Sequence, residues 1–217
     1  MCSNLSQLLT NVQYSLADKV VEEDCFDKLE NVAGVDISFT VDNEAVAAAV
    51  ILELKSREII EKQTLKIELF FPYMPGFLGV RESDAMISVV NTLEHDFDVL
   101  MVNGHGIMHP HGFGLASHMG VLLDMPTMGV AKRLTGGRYI KEATQRDHAH
   151  NEVQLIQHDN RVVGAFFRGK YVSVGHKISL ETALNIAMRT SIYKIPEPLR
   201  QAHILATETF KHKLNGN

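Results

Sequence analysis

The feature that most restricts the fold of this chain is a change of hydrophobic pattern near residue 70. Before it, three runs of strand character follow one another at 32–39, 45–54 and 58–69, the last with Ile60, Leu65, Ile67 and Leu69 partly alternating. Only short polar breaks, at Asp42-Asn43 and Ser56-Arg57, separate them. Breaks that short join antiparallel neighbours, so the runs predict a three-stranded meander. The segment FFPYMPGFLG then excludes a central strand or a helix interior, because it holds two prolines and two glycines. Beyond it the pattern alternates. Helical spacing over 82–95 precedes the short apolar run DVLMV at 98–102, a helix around Leu115–Leu123 and a strand at Thr127–Ala131. After a poorly patterned stretch from 134 to 151, segments 154–156, 162–167 and 171–174 resemble a second meander. Helical spacing at 5–21, Leu180–Thr190 and 198–210 completes the chain. Strands first and strand–helix alternation afterwards predict an α/β fold, with a mixed central sheet flanked by helices.

At 217 residues, with no internal repeat or linker, residues 1–217 are expected to form one domain. The longest apolar run, 45–52, is too short to cross a bilayer, which excludes a membrane-spanning role. The opening residues lack the basic start and solid apolar region of a signal peptide. With only Cys2 and Cys25, a reducing compartment is expected: cytoplasmic, and also nuclear in a eukaryotic source. The net charge of −5 argues against a sequence-blind nucleic-acid binder but hides an asymmetry. Residues 1–108 carry 7 Lys/Arg against 18 Asp/Glu, whereas residues 109–217 carry 14 against 8. A basic half that holds a polyanion, beside carboxylates that handle cations, fits this division; so does an uneven spread over one folded surface.

Asp36, inside AGVDISF, is the sharpest chemical signal, because a carboxylate in an apolar strand is costly unless paired or bound to a cation. Glu82 lies just beyond the proline–glycine loop, where a first-turn carboxylate is also what the helix dipole favours. Asn103 ends the apolar strand, the usual position of ligand sites in open α/β sheets. It is followed by Gly104, His105, Gly106, His109 and His111. Zinc on these histidines is disfavoured, since the i, i+4 pair His105/His109 needs a helix that the glycines and Pro110 oppose. Lys132 stands just past a strand, and His176 precedes a helix N-cap at Ser179. No P-loop, dinucleotide fingerprint, Gly-x-Ser-x-Gly elbow or Cys-x-x-Cys pair is present. Carboxylates gathered from separate strands suit Mg²⁺ or Mn²⁺, which polarise a phosphoryl oxygen and activate water.

Five ordered blocks carry a resemblance: VAGVDISF, PYMPGFLGVRE, VNGHGIMHPHGFGLASHMGVLLDMPTMGVAKRL, VGHKISLETA and IPEPLRQA. Together they closely resemble the endonuclease V family over about residues 32–202. The resemblance implies a ribonuclease H-like fold. It also implies Mg²⁺-dependent hydrolysis, with Mn²⁺ as substitute, of the second phosphodiester bond 3′ to inosine in DNA or RNA. Asp36 would be the central metal-binding carboxylate, with Glu82, Lys132 and His176 as catalytic residues. Pro72, Tyr73, Met74 and Pro75 would form a stiff wedge whose aromatic face fills the gap left by an everted base. Gly76, Gly104, Gly106 and His109 would bind that base. A monomer is the default.

Asn103 departs from the family, which has aspartate there as its second metal ligand. An amide offers one neutral oxygen and removes a full negative charge, so metal affinity and rate should both fall. Such an amide fits a shape-preserving block of cleavage as well as a divergent member of low activity, and Asn-Gly is prone to deamidate back. An impaired inosine-specific nuclease is therefore the leading expectation, and a non-catalytic binder of inosine-containing nucleic acid the alternative.

Overall fold

A computed structural model of the chain describes residues 2–39, 43–146 and 152–214. Its elements run α1 (Cys2–Ala17), β1 (Asn31–Phe39), β2 (Glu44–Glu53), β3 (Ile59–Glu68), α2 (Leu78–Val90), β4 (Val99–Asn103), α3 (Leu115–Leu123) and β5 (Thr127–Ala131). Then come β6 (Arg138–Arg146), β7 (Glu152–His158), β8 (Arg161–Phe167), β9 (Lys170–His176), α4 (Leu180–Thr190) and α5 (Glu197–Leu214). The described strands form one mixed sheet in the order β3-β2-β1-β4-β5-β9-β8-β7-β6. β1, β2 and β3 are the antiparallel meander expected from their short breaks, of which Asp42 lies outside the described residues. β4 and β5 run parallel to β1, and β9 returns antiparallel against β5.

The alternation of side chains along β1 divides the core. Ala33, Val35 and Ile37, with Leu100 and Val102 of β4, pack against Met86 and Val89 of α2 and Leu115 and Met119 of α3. Val32, Val99 and Met101, with Val130, Val172 and Val174, face Ile186 of α4 and Leu199 of α5. Both faces are covered, which is why β4 and β5 read as continuous apolar runs.

Two sequence expectations differ from the structure. The helix expected over 82–95 begins at Leu78 and ends at Val90, where the Thr92 hydroxyl caps the Val89 carbonyl. Glu82 is therefore in the second turn, beyond the reach of the dipole argument. The poorly patterned stretch 134–151, whose last residues 147–151 are outside the described ones, contains β6. An edge strand has only one paired side and needs no alternating apolar face, so its pattern was weak.

Candidate active site

Asp36 alternates with Val35 and Ile37 and therefore points to the α5 face of the sheet, where it is only 3% exposed. The strand admits α5 there because Gly34 has no side chain: a Cβ would run into the backbone of Pro198. Both carboxylate oxygens are satisfied. Asn103 Nδ2 donates to Oδ1 at 2.8 Å, and His203 Nδ1, from α5, donates to Oδ2 at 2.7 Å. The costly charge foreseen from the sequence is thus paired, but partly by a residue the sequence reading missed. His203 lies in a helix whose spacing gives no chemical signal. Only the docking of α5 on Gly34 brings it to Asp36.

Glu82 occupies the buried stripe of α2, between Gly79 and Met86, and is 4% exposed. Among the described residues nothing hydrogen-bonds its carboxyl. Burial, and then the charge of Asp36, raise its pKa to about 8, against a smaller opposing effect of Arg81. The two carboxyl groups, on separate elements, are thus near enough for the charge of Asp36 to oppose ionisation of Glu82.

Lys132 follows the last residue of β5, and Asn103 pairs with Val130 two residues before it. It is exposed at the same edge of the sheet as Asn103. His176 is not brought there. It pairs with Thr127, the first residue of β5, so it lies four residues away along that strand, about 13 Å. Its Nδ1 accepts from the Val21 amide, and its ring nitrogen Nε2 faces Asp124. The reason is the antiparallel return of β9, which places its end opposite the edge that carries Asn103 and Lys132. His176 anchors the segment after α1.

A pocket of about 210 Å³ lies beside this centre, lined by Tyr73, Met74 and Gly76 on one side and His105, His109, Gly114 and Leu115 on the other. Leu78 and Gly79, one turn before Glu82, also line it. Tyr73 is 68% exposed, and Phe70 on the same loop is more exposed still. Pro72 and Pro75 are exposed on the same loop. Burial, and then its neighbours His111 and His105, lower the pKa of His109 to about 4, so the pocket wall is neutral at physiological pH. His105 donates from Nε2 to the Arg133 carbonyl, and His111 Nδ1 bonds Gln13 Oε1; these rings are committed to separate partners.

The glycines divide. Gly76 has φ +85° and open space around it, and Gly104 lies against the Leu115 side chain. Gly106 is different from the expectation: a Cβ there would collide with the Val174 carbonyl, and its amide donates to Ser173 Oγ. It is glycine so that the loop can lie on β9, and it is not among the residues that line the pocket.

Among the described residues no group of three His, Cys, Asp or Glu side chains is arranged as a metal site. The donors nevertheless fit a divalent cation. Asp36 and the unpartnered carboxyl of Glu82 repel each other in a buried space, and a hard cation relieves that repulsion. Asn103 is the weak element: its amide nitrogen, rather than an oxygen, is turned to Asp36.

Comparison with known proteins identifies the family and the fold. The family model of endonuclease V matches residues 14–204. Endonuclease V of Dictyoglomus thermophilum is 36% identical over 212 residues, covering 94% of this chain and 91% of that protein. The catalytic domain of human endonuclease V superposes with a TM-score of 0.86 at 31% identity, covering 98% of both chains. Endonuclease V of Ciona intestinalis, solved in complex with a 24mer DNA containing an inosine followed by a ribo-adenosine, gives 0.83 at 26% identity, covering 97% of this chain and 99% of that one. The fold is accordingly ribonuclease H-like, as the sequence resemblance implied. With relatives above 30% identity along nearly its whole length, the chain belongs to the endonuclease V family.

Proposed function

We propose that this chain is an inosine-specific endonuclease, working as a single domain, that recognises inosine in DNA or RNA and hydrolyses the second phosphodiester bond 3′ to it. It acts as a monomer within the cytoplasm or, in a eukaryotic source, also the nucleus. The observation that carries this reading is the juxtaposition of two buried carboxyl groups with a neutral base-sized pocket behind an exposed aromatic wedge. Tyr73 fills the stack when the base leaves it, and its flanking prolines keep the loop from collapsing. A neutral His109 lets an uncharged base enter without desolvating an ion. Asp36 and Asn103 would hold Mg²⁺ or Mn²⁺, with Glu82 opposite; when bound, the ion supplies Lewis-acid polarisation of the phosphoryl oxygen. His203 fixes the orientation of Asp36 through Oδ2. Lys132 supplies a fixed positive charge at the edge where the phosphate must lie.

Asn103 lowers activity in this scheme. It stabilises the metal-free carboxylate by donating to it, while contributing no charge to a cation. The test is cleavage of labelled inosine strands of DNA and RNA, with Mg²⁺ and with Mn²⁺, by this chain and its Asn103→Asp variant, with intact mass checked for deamidation. A variant faster by orders of magnitude, with both proteins binding inosine strands, is the expected result. Selective binding without cleavage by either would instead make the chain a non-catalytic inosine binder.

A further inference from the structure

Four neighbouring strands, β1, β4, β5 and β9, reach one edge of the sheet together. Counting side-chain alternation from core positions on the α4/α5 face, Asp36, Asn103, Lys132 and Lys170 share one face. Asp36 and Asn103 lie two residues from Gly34 and Met101, and the two lysines two residues from Val130 and Val172. The pair Ala131–Tyr171 places Lys132 and Lys170 next to each other at the end of the β5–β9 ladder. Lys194, from the loop between α4 and α5, is the third member. That loop is pinned to the turn preceding Lys170 by Arg168 Nη1, which donates to the Ser191 carbonyl at 3.1 Å.

Among the described residues, none of these three lysines has a hydrogen-bonded or ion-paired side-chain partner. Lys170 is also partly buried. Burial, and then the charges of Lys132 and Lys194, lower its pKa. Like charges held together by strand register, with no carboxylate between them, are unfavourable until an anion joins them. The spacing across the strands continues the row that begins at Asp36, at about 4.8 Å per strand.

We propose that Lys170 and Lys194 form a second phosphate seat, which holds the backbone phosphate next to the one at the Asp36 centre. The ligand is a phosphodiester of the bound nucleic-acid strand, so the inference rests on the function proposed above. The seat reads no base. It fixes the strand beyond the reacting bond while the pocket fixes it on the inosine side.

Binding of an inosine-containing single strand is measured from about 50 to 200 mM salt for this chain, Lys170→Gln, Lys194→Gln and Lys170→Arg, with Lys55→Gln in the β2–β3 turn as control. Each of the two glutamine variants reduces the slope of log affinity against log salt by about 0.7, the value for one phosphate on a single strand. Lys170→Arg keeps the slope, Lys55→Gln leaves it unchanged, and preference for inosine over adenosine is untouched throughout. A set of strands, each with one neutral methylphosphonate, locates the seat. One position weakens binding to this chain but not to Lys170→Gln. Unchanged slopes in both glutamine variants, or an equal loss in Lys55→Gln, overturn the seat. Absence of any inosine preference in this chain overturns the functional reading instead, independently of the slopes.

Discussion

Asp36 and its three neighbours show how one side chain sets the state of another. The Asn103 amide donates to Asp36 at 2.8 Å, where an aspartate at that position would set two like charges side by side. Asn103→Asp is therefore expected to lower stability in chelator by about 1–3 kcal/mol, and to regain it with Mg²⁺. Denaturant unfolding with and without the ion measures this. Glu82 carries a second expectation. Its pKa rises from 4.5 to about 8 on folding, so the unfolded chain releases this proton first as pH rises. Stability associated with Glu82 is present below about pH 4.5 and is lost on passing to pH 8. Glu82→Gln should thus gain on the order of 3 kcal/mol relative to this chain at pH 8, and nothing at pH 4, in parallel unfolding curves.

At the scale of elements, α1 acts on the pocket through a single buried side chain. Gln13 Nε2 donates to the carbonyls of Gly76 at 2.8 Å and Phe113 at 3.1 Å, while its Oε1 meets His111 Nδ1 at 2.7 Å. One amide thereby joins the wedge loop to the opposite wall. Gln13→Ala leaves these groups unpaired, and a loss of about 1–3 kcal/mol is expected in thermal unfolding. Faster amide exchange at Tyr73, Met74, Gly76 and Phe77 would accompany it, since the loop loses its tether. The two glycines give opposite expectations. Gly106→Ala should fail to fold, because the obstructing atom is the Val174 backbone, whereas Gly76→Ala meets no atom and costs only about 1 kcal/mol for its positive φ. Soluble yield and melting of the two variants separate these cases.

Across the whole molecule, the sheet separates chemistry from anchoring. The C-terminal ends of β4 and β5 carry Asn103 and lead into Lys132, and the opposite edge carries His176 with Val21 and Asp124. His176→Ala should cost about 1–3 kcal/mol by stranding the Val21 amide. Inosine-strand cleavage by the Asn103→Asp protein should not change when His176→Ala is added. A loss of rate with intact folding would return His176 to the reaction. The charge division has a structural counterpart as well. The acidic first half supplies Asp36 and Glu82, while the basic second half supplies Lys132, Lys170 and Lys194 across the same edge.

The sequence alone determined the first meander, most helices and the place of Asp36, because these follow from local periodicity and from the cost of a carboxylate in an apolar strand. It also located Asn103 at the end of the apolar strand β4, because the apolar run stops there. Tertiary structure decided what depends on contacts between distant segments. His203 reaches Asp36 only because Gly34 lets α5 sit on β1, and His176 leaves the site only because β9 runs back along β5. Gly106 serves β9 rather than a base for the same reason. Periodicity records which face of an element is buried; it carries no record of which distant residue is packed against that face, and the chemistry of this site is set by that pairing.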